Sequence, residues 1–281
     1  MKIHAFIIFL MILFFDFLNA EIIVDDVGRK IELKLPVSSV ISLSPAHTEM
    51  LYFLNQEDKL IAVSSSCNYP DGVALKEKAG TFLNPDMEKI LKMKPDVVIS
   101  GGGIQKKAIT NMENLKIPVL VLYPRDVNGI IENMNLLSFV VGCKNCTNKI
   151  KKFEAKCRQR KSKNVKIYVE IWDKPIMAAG GTSFINDIIK IAGAKNILNY
   201  TKQEYPKISD EIVIKEKPDV IILLYKPQNN FMENVRFKNT PAGKNNKIFV
   251  MSEKEQDVFL RTGPRVADAV EILERIINKV K

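Results

Sequence analysis

The chain offers few residues with which to do chemistry. It holds two histidines, His4 and His47, and four cysteines, Cys67, Cys143, Cys146 and Cys157. Side-chain capture of a transition metal needs several imidazoles or carboxylates converging on one point, and so few histidines do not supply them. No H-E-x-x-H, G-x-S-x-G or Walker sequence is present. Ser44, His47 and Glu49 have the composition of a hydrolytic triad, but all three fall within one turn of a helix start, which favours a capping or pocket-lining histidine. No catalytic residue, metal site or cofactor is expected. The pair Cys143 and Cys146 has three readings: a local disulfide, because positions i and i+3 approach closely on a helix, free thiols, or a redox or metal pair. Zinc would need a second pair at matching spacing, which is missing. Cys67 and Cys157 have no sequence-evident partner.

Binding has better carriers. Gly101-Gly102-Gly103 directly follows an apolar run over 96–100. At the carboxyl end of a parallel strand, glycines let a backbone come close to a ligand; a plain turn is the other reading. Gly180-Gly181-Thr182-Ser183 stands ahead of a helical stretch and is equally compatible with a simple N-cap. Phe82, Trp172 and Tyr205 fall in loops or at strand ends. Aromatics gathered in a cleft suit a large, flat, apolar ligand, although for any one of them core packing serves as well.

The elements that must position these residues alternate. Strands are expected at 40–43, 60–64, 96–100 and 118–122, with helices at 45–54, 85–93 and 105–115. The pattern resumes with strands at 166–170, 219–224 and 247–251, and helices at 182–191, 209–216 and 263–280. Such alternation predicts an α/β fold with a parallel sheet, here twice. Asp26-Val27-Gly28-Arg29 predicts a hairpin turn within 22–33. The segment 88–99 repeats as 211–222 with seven of twelve positions identical, and the same offset of 123 pairs Phe82 with Tyr205. Helix–Lys-Pro-Asp–strand is a common connector, but it does not account for the shared glutamate and aromatic, so two similar lobes are expected. Between them, 126–160 contains no proline and reads as helix, about 50 Å if continuous. Its two apolar stripes, Ile130/Met134/Leu137/Val141 and Cys146/Ile150/Phe153/Cys157, are out of phase about Gly142, which predicts a kink or short interruption. A helix joining two lobes implies a fairly rigid pair.

The amino terminus, with Lys2, an apolar run over 5–15 and a small residue at Ala20, reads as a secretory leader over 1–20. Asp16 interrupts it too early for a spanning helix, and no cysteine marks a lipid anchor. About 260 residues then remain, a size at which one core begins to split in two. With 46% apolar and 26% charged residues among 281, the composition is that of a globular protein. The net charge of +10 is scattered through amphipathic segments apart from 151–166, and no zinc-finger or RNP-like motif accompanies it, so nucleic acid is not an expected partner. The organisation expected is a leader (1–20), an N-terminal lobe (21–125), a linking helix (126–162) and a C-terminal lobe (163–281).

At this point the residues resemble a known family. The segments 41–51 (ISLSPAHTEML), 63–70 (VSSSCNYP), 84–99 (NPDMEKILKMKPDVVI), 170–175 (EIWDKP), 192–197 (AGAKNI) and 261–265 (RTGPR) are similar to class III periplasmic substrate-binding proteins. These serve ABC importers of cobalamin, haem and ferric siderophores, and the match looks most like the cobalamin-binding branch. The resemblance spans essentially the whole chain after the leader. It implies two lobes joined by a long helix, with ligand held between them. It implies a soluble periplasmic monomer, with no enzymatic activity, that delivers its ligand to a permease dimer in the inner membrane. One glutamate per lobe docks on arginines of the permease in that branch, and those positions match Glu88 and Glu211. Taken with the residue readings above, the expected ligand site comprises Pro45, Ser66, Phe82, Gly102, Trp172, Tyr205, Asp257, Phe259 and Arg261. There are departures: tryptophans of the branch are replaced by Phe82 and Tyr205, a corrinoid-contacting tyrosine by Ser66, and a disulfide pair by Ala192 and Glu274. A ferric siderophore or haem carrier is therefore the alternative, and the excess of Lys and Arg suits an anionic ferric complex. From another class, an exported enzyme or an adhesin on this fold remains open.

Overall fold

The computed structural model describes residues 20–280. The expected leader lies outside the described residues except for Ala20, which opens the first strand. Strands β1 (Ala20–Val24) and β2 (Lys30–Lys34) pair antiparallel. Their turn is closed by the buried Asp25 carboxylate, which accepts the N–H groups of Val27 and Arg29 and the Arg29 guanidinium. Gly28 supplies the positive φ (80°) that this turn requires.

The first sheet follows in alternation: β3 (Val40–Ser42), α1 (Pro45–Phe53), β4 (Leu60–Val63), β5 (Glu77–Lys78), α2 (Met87–Met93), β6 (Val97–Gly101), α3 (Lys106–Asn114) and β7 (Val119–Leu122). The strand order is β5-β4-β3-β6-β7, all parallel. Sheets covered by helices on both faces bury both sets of alternating side chains, which is why these strands read as continuous apolar runs. Val40, Val97, Ile99, Leu120 and Leu122 join one core, and Ile41, Val98, Val119 and Val121 join another on the opposite face. The period of two explains the division.

The expected long linking helix is two helices, α4 (Val127–Val140) and α5 (Cys146–Lys156). The break falls where the stripes change phase. Gly142 takes φ 65°, its N–H bonds to Phe139 O, and the Cys143 N–H bonds to Ser138 O, which together form a Schellman C-cap. A disulfide joins Cys143 and Cys146, with Cα atoms 5.7 Å apart, across the interruption. Cys67 and Cys157 are free and buried. The helix start at Asp126 is fixed by its carboxylate, which accepts the Gly129 N–H.

The second sheet is built from β8 (Lys166–Trp172), β9 (Met177–Ala178), α6 (Phe184–Ile191), β10 (Lys195–Asn196), α7 (Asp210–Glu216), β11 (Val220–Leu223), α8 (Val235–Lys238), α9 (Pro241–Lys244) and β12 (Ile248–Val250). Its parallel order is β10-β8-β11-β12, with β9 antiparallel on β8. Helices α10 (Glu253–Leu260) and α11 (Val266–Asn278) complete the chain. The sequence repeat is a structural one: α2 leads to β6 as α7 leads to β11. Lys94 and Lys217 both end their helices at positive φ (48° and 52°). Asp96 then accepts the N–H groups of Ser38 and Ser39, and Asp219 accepts that of Lys166. Each aspartate thus ties its strand to the segment entering the neighbouring strand.

Each lobe keeps a core of its own on one sheet face, and a third core is shared between them. One cluster runs from Val40 and Val97 through Ile130, Met134, Ile150 and Phe153 of the connecting helices to Ile167, Ile188 and Leu273. Among the described residues no helix is long and apolar enough to cross a membrane.

Candidate ligand-binding cleft

A cavity of about 460 Å³ lies where the carboxyl ends of β3, β6 and β7 face the second lobe. That edge is where open α/β sheets present loops and helix starts to ligands. From the first lobe come Ser44–His47 at the start of α1, Phe82, Gly101–Gly103 and Leu122–Arg125; from the second come Phe184, Glu204, Tyr205 and Leu260–Thr262. Pro45 is the first residue of α1, a position where its missing N–H costs nothing.

The two aromatics related by the repeat enter the cavity from opposite lobes. Phe82 is held by the buried Gln105, whose Nε2 donates to Phe82 O (2.7 Å) while its Oε1 accepts from Gly101 N (2.7 Å) and Ser100 Oγ (2.9 Å). Tyr205 is placed by a close approach. A Cβ at Gly180 would lie 2.1 Å from Gln203 O, and one at Gly181 2.3 Å from Asn199 O. This glycine pair therefore lets the loop 199–206 settle against the second lobe, while Ser183 caps α6 by accepting the Asn186 N–H. Burial, with Tyr123 nearby, pushes the Tyr205 phenol up, so it remains a neutral donor.

Gly101–Gly103 line the cavity, and Gly102 also has a packing role. A Cβ at Gly102 would stand 2.9 Å from Tyr123 Cγ, so the absent side chain makes room for that ring. Tyr123 is anchored in turn by Asp26 of the hairpin, which accepts its N–H and Asn133 Nδ2.

Every arginine of the cavity is already paired. Arg125 stacks on Tyr123, 4.1 Å from the ring centroid, and forms an ion pair with Glu204 across the lobes. Arg261 donates to Glu49 Oε1 (2.7 Å) and Asn68 Oδ1 (2.8 Å) and pairs with Asp257 (2.8 Å). Glu49, buried on α1, also accepts two bonds from Arg265 (2.6 and 2.7 Å). His47 is fully buried, and burial lowers its pKa to about 4 against the smaller opposing effect of the Leu122 carbonyl. It lines the cavity uncharged, and its Nδ1 has no hydrogen-bond partner. Among the described residues no group of three or more His, Cys, Asp or Glu is arranged to hold a metal.

The structure brings together Pro45, Phe82, Gly102, Tyr205 and Arg261 of the expected site. Asp257 stands behind Arg261 as its ion-pair partner. Three more residues, like Asp257, do not line the cavity. Phe259 is completely buried in the core, because α10 is a helix and residues two apart lie on opposing faces; Asp257 and Arg261, four apart, share the other face. Trp172 is 57% exposed on the β8–β9 hairpin, where its Nε1 donates to Lys174 O. Ser66 is exposed in the loop after β4. Sequence reasoning missed Gln105, Tyr123, Arg125, Phe184 and Glu204. Only Phe184, just after the Gly180–Ser183 signal, had a readable cue.

Away from the cavity, Glu88 and Glu211 occupy the second position of α2 and α7, both exposed. Bonds from the Ser209 hydroxyl and its own N–H hold the Glu211 carboxyl below its ordinary range.

A family profile described as periplasmic binding protein matches residues 40–255. The vitamin B12-binding protein of Vibrio vulnificus (strain CMCP6) is 27% identical over 244 residues, 84% of this chain and 88% of the relative. Among solved structures, the periplasmic vitamin B12 binding protein BtuF of Vibrio cholerae superposes with a TM-score of 0.69 at 23% identity, covering 87% of this chain and 98% of that one. The periplasmic heme-binding protein RhuT of Roseiflexus sp. RS-1 does so with a TM-score of 0.70 at 19% identity, covering 86% and 98%.

Proposed function

The chain belongs to the periplasmic binding protein family, and from that premise we propose that it captures cobalamin between its lobes and delivers it to an ABC importer. The observation that carries this reading is the cleft itself: Phe82 and Tyr205 enter one cavity from equivalent places in the two lobes, and no arginine there is left unpaired. Two aromatics and a neutral, buried imidazole suit a large ring whose rim carries uncharged amides. An anionic ferric siderophore, or the carboxylates of haem, would call for a free cation instead. The surplus of 42 Lys and Arg over 32 Asp and Glu favours the anionic ligands only if it faces the cleft, and the lining shows it does not.

A corrinoid exceeds the cavity, so seating it leaves part of the ligand at the mouth or parts Arg125 from Glu204. Arg125 is exposed and Glu204 half-buried, and surface pairs contribute about 0–1 kcal/mol, so the pair yields readily. Delivery rests on Glu88 and Glu211, which project from the repeated helices as charges that arginines of a permease dimer can grip bidentately. The periplasm is the compartment that fits both the family and the leader-like amino terminus, and binding without catalysis fits a cleft lined by paired charges. The absorbance spectrum of protein purified from its native host tests the ligand: corrinoid bands support this reading, and haem or ferric-siderophore bands replace it.

A further inference from the structure

A second cavity, about 420 Å³, opens on the other side of Glu49 and shares no lining residue with the cleft. Its walls come from four parts of the chain: the end of α1, the loop after β4, one face of α5, and the start of α11. Tyr52, Phe53, Tyr69 and Phe153 give it an aromatic floor, and its volume falls within the range of small-molecule sites, about 300–1,000 Å³.

Its charge is unlike that of the cleft. Lys149, Lys152 and Lys156 lie along one face of α5, and Arg265 faces them from α11. The Arg265 guanidinium is fixed in place: Nε and Nη2 are held by Glu49, and its plane lies over Tyr69 at 4.3 Å. Its Nη1 has no acceptor among the described residues, and neither has Lys152. Lys156 stands 3.9 Å from Glu271, and Lys149 donates to Phe53 O. Glu49 cannot neutralise the lysines, because its two oxygens already accept three guanidinium bonds. Asp268 is the remaining acid of the lining.

We propose that this cavity is a second ligand site, specific for a small anion with an aromatic body, such as an aryl carboxylate or sulfonate. The anionic group would meet Arg265 Nη1 and the lysine rim, and the ring would lie against Tyr52, Phe53 and Tyr69. A guanidinium already ordered by Glu49 and Tyr69 loses little freedom on binding, which favours affinity, and a charge-assisted bond to a carboxylate is about twice as strong as a neutral one.

Calorimetric titration with 2-naphthoate tests the proposal on the intact protein. One equivalent should bind. The double variant K152E/K156E, altered only at exposed side chains, should bind at least tenfold more weakly, and so should uncharged 2-naphthamide with the unaltered protein. The cleft variant F82A/Y205A should bind 2-naphthoate normally whether or not cobalamin is the ligand of the cleft. No binding of 2-naphthoate, equal binding of the amide, indifference to K152E/K156E, or loss in F82A/Y205A would each overturn the site.

Discussion

His47 is the one imidazole within residues 20–280, and burial decides its charge. In the unfolded chain it takes up a proton near pH 6.5; in the folded protein it does so only near pH 4. Between those values unfolding binds a proton, so stability falls as pH drops through that window, by about 3 kcal/mol in all. Above pH 6.5 the effect vanishes. Denaturant unfolding of His47→Gln across pH 7 to 4 should show a shallower loss than the unaltered protein, whatever the absolute stability of the variant. An equal slope would mean that the imidazole is hydrated. At this scale the sequence was partly legible. The offset of 123 singled out Phe82 and Tyr205 without reference to any contact. By contrast, Tyr123, Arg125 and Glu204 sit in loops, where no periodicity distinguishes a lining residue from an exposed one. Gly102 was read as a place of ligand approach, and only the packing of Tyr123 revealed what its missing side chain accommodates.

The helix starts at α2 and α7 carry the docking claim. A carboxylate in a first turn is stabilised by the helix dipole by roughly 0.3–1 kcal/mol, and for Glu211 the bond from Ser209 adds a local reason to sit there. If this were their whole role, reversing both charges in E88K/E211K would lower stability slightly and leave transport intact. Docking predicts the opposite: unchanged folding and ligand affinity, with uptake into vesicles containing the permease abolished. Normal uptake by that variant would remove the docking claim. The elements themselves were legible where burial on both faces wrote an apolar run, as in β4, β6, β7 and β11. The two-residue strands β5, β9 and β10 left no such trace, and β5 pairs through Glu77 and Lys78, which carry no strand signal. The expected ligand site takes in Asp257, Phe259 and Arg261 alike; the capping box at Ser252 and Glu255 starts a helix through 257–260 and turns Phe259 inward.

Across the whole molecule, the sequence predicts a fairly rigid pair of lobes joined by a helix interrupted about Gly142; the interruption is there, and two features hold the lobes across it. The continuous core through α4 and α5 is the first. The second is Glu49, which reaches from the first lobe to Arg261 and Arg265 of the second with almost no exposure. Removing one partner of a buried ion pair typically costs 3–5 kcal/mol because the remaining charge stays buried. Glu49→Ala should therefore lose about that much stability in denaturant unfolding, whereas Glu204→Ala, which breaks the exposed bridge, should lose at most about 1 kcal/mol. Comparable losses would show that Glu49 is not the principal latch. A sequence search for ion pairs could not find this one, since its partners are more than 200 residues apart. Latched lobes leave a preformed cleft, and the cleft is the centre of the account. Stacking of a large ring on Phe82 and Tyr205 contributes roughly 0.5–1.5 kcal/mol per aromatic beyond area burial. Calorimetric titration with cyanocobalamin should therefore give one site per chain, weakened about tenfold or more in F82A/Y205A. No binding by the unaltered protein, or undiminished affinity in a correctly folded F82A/Y205A, would contradict it.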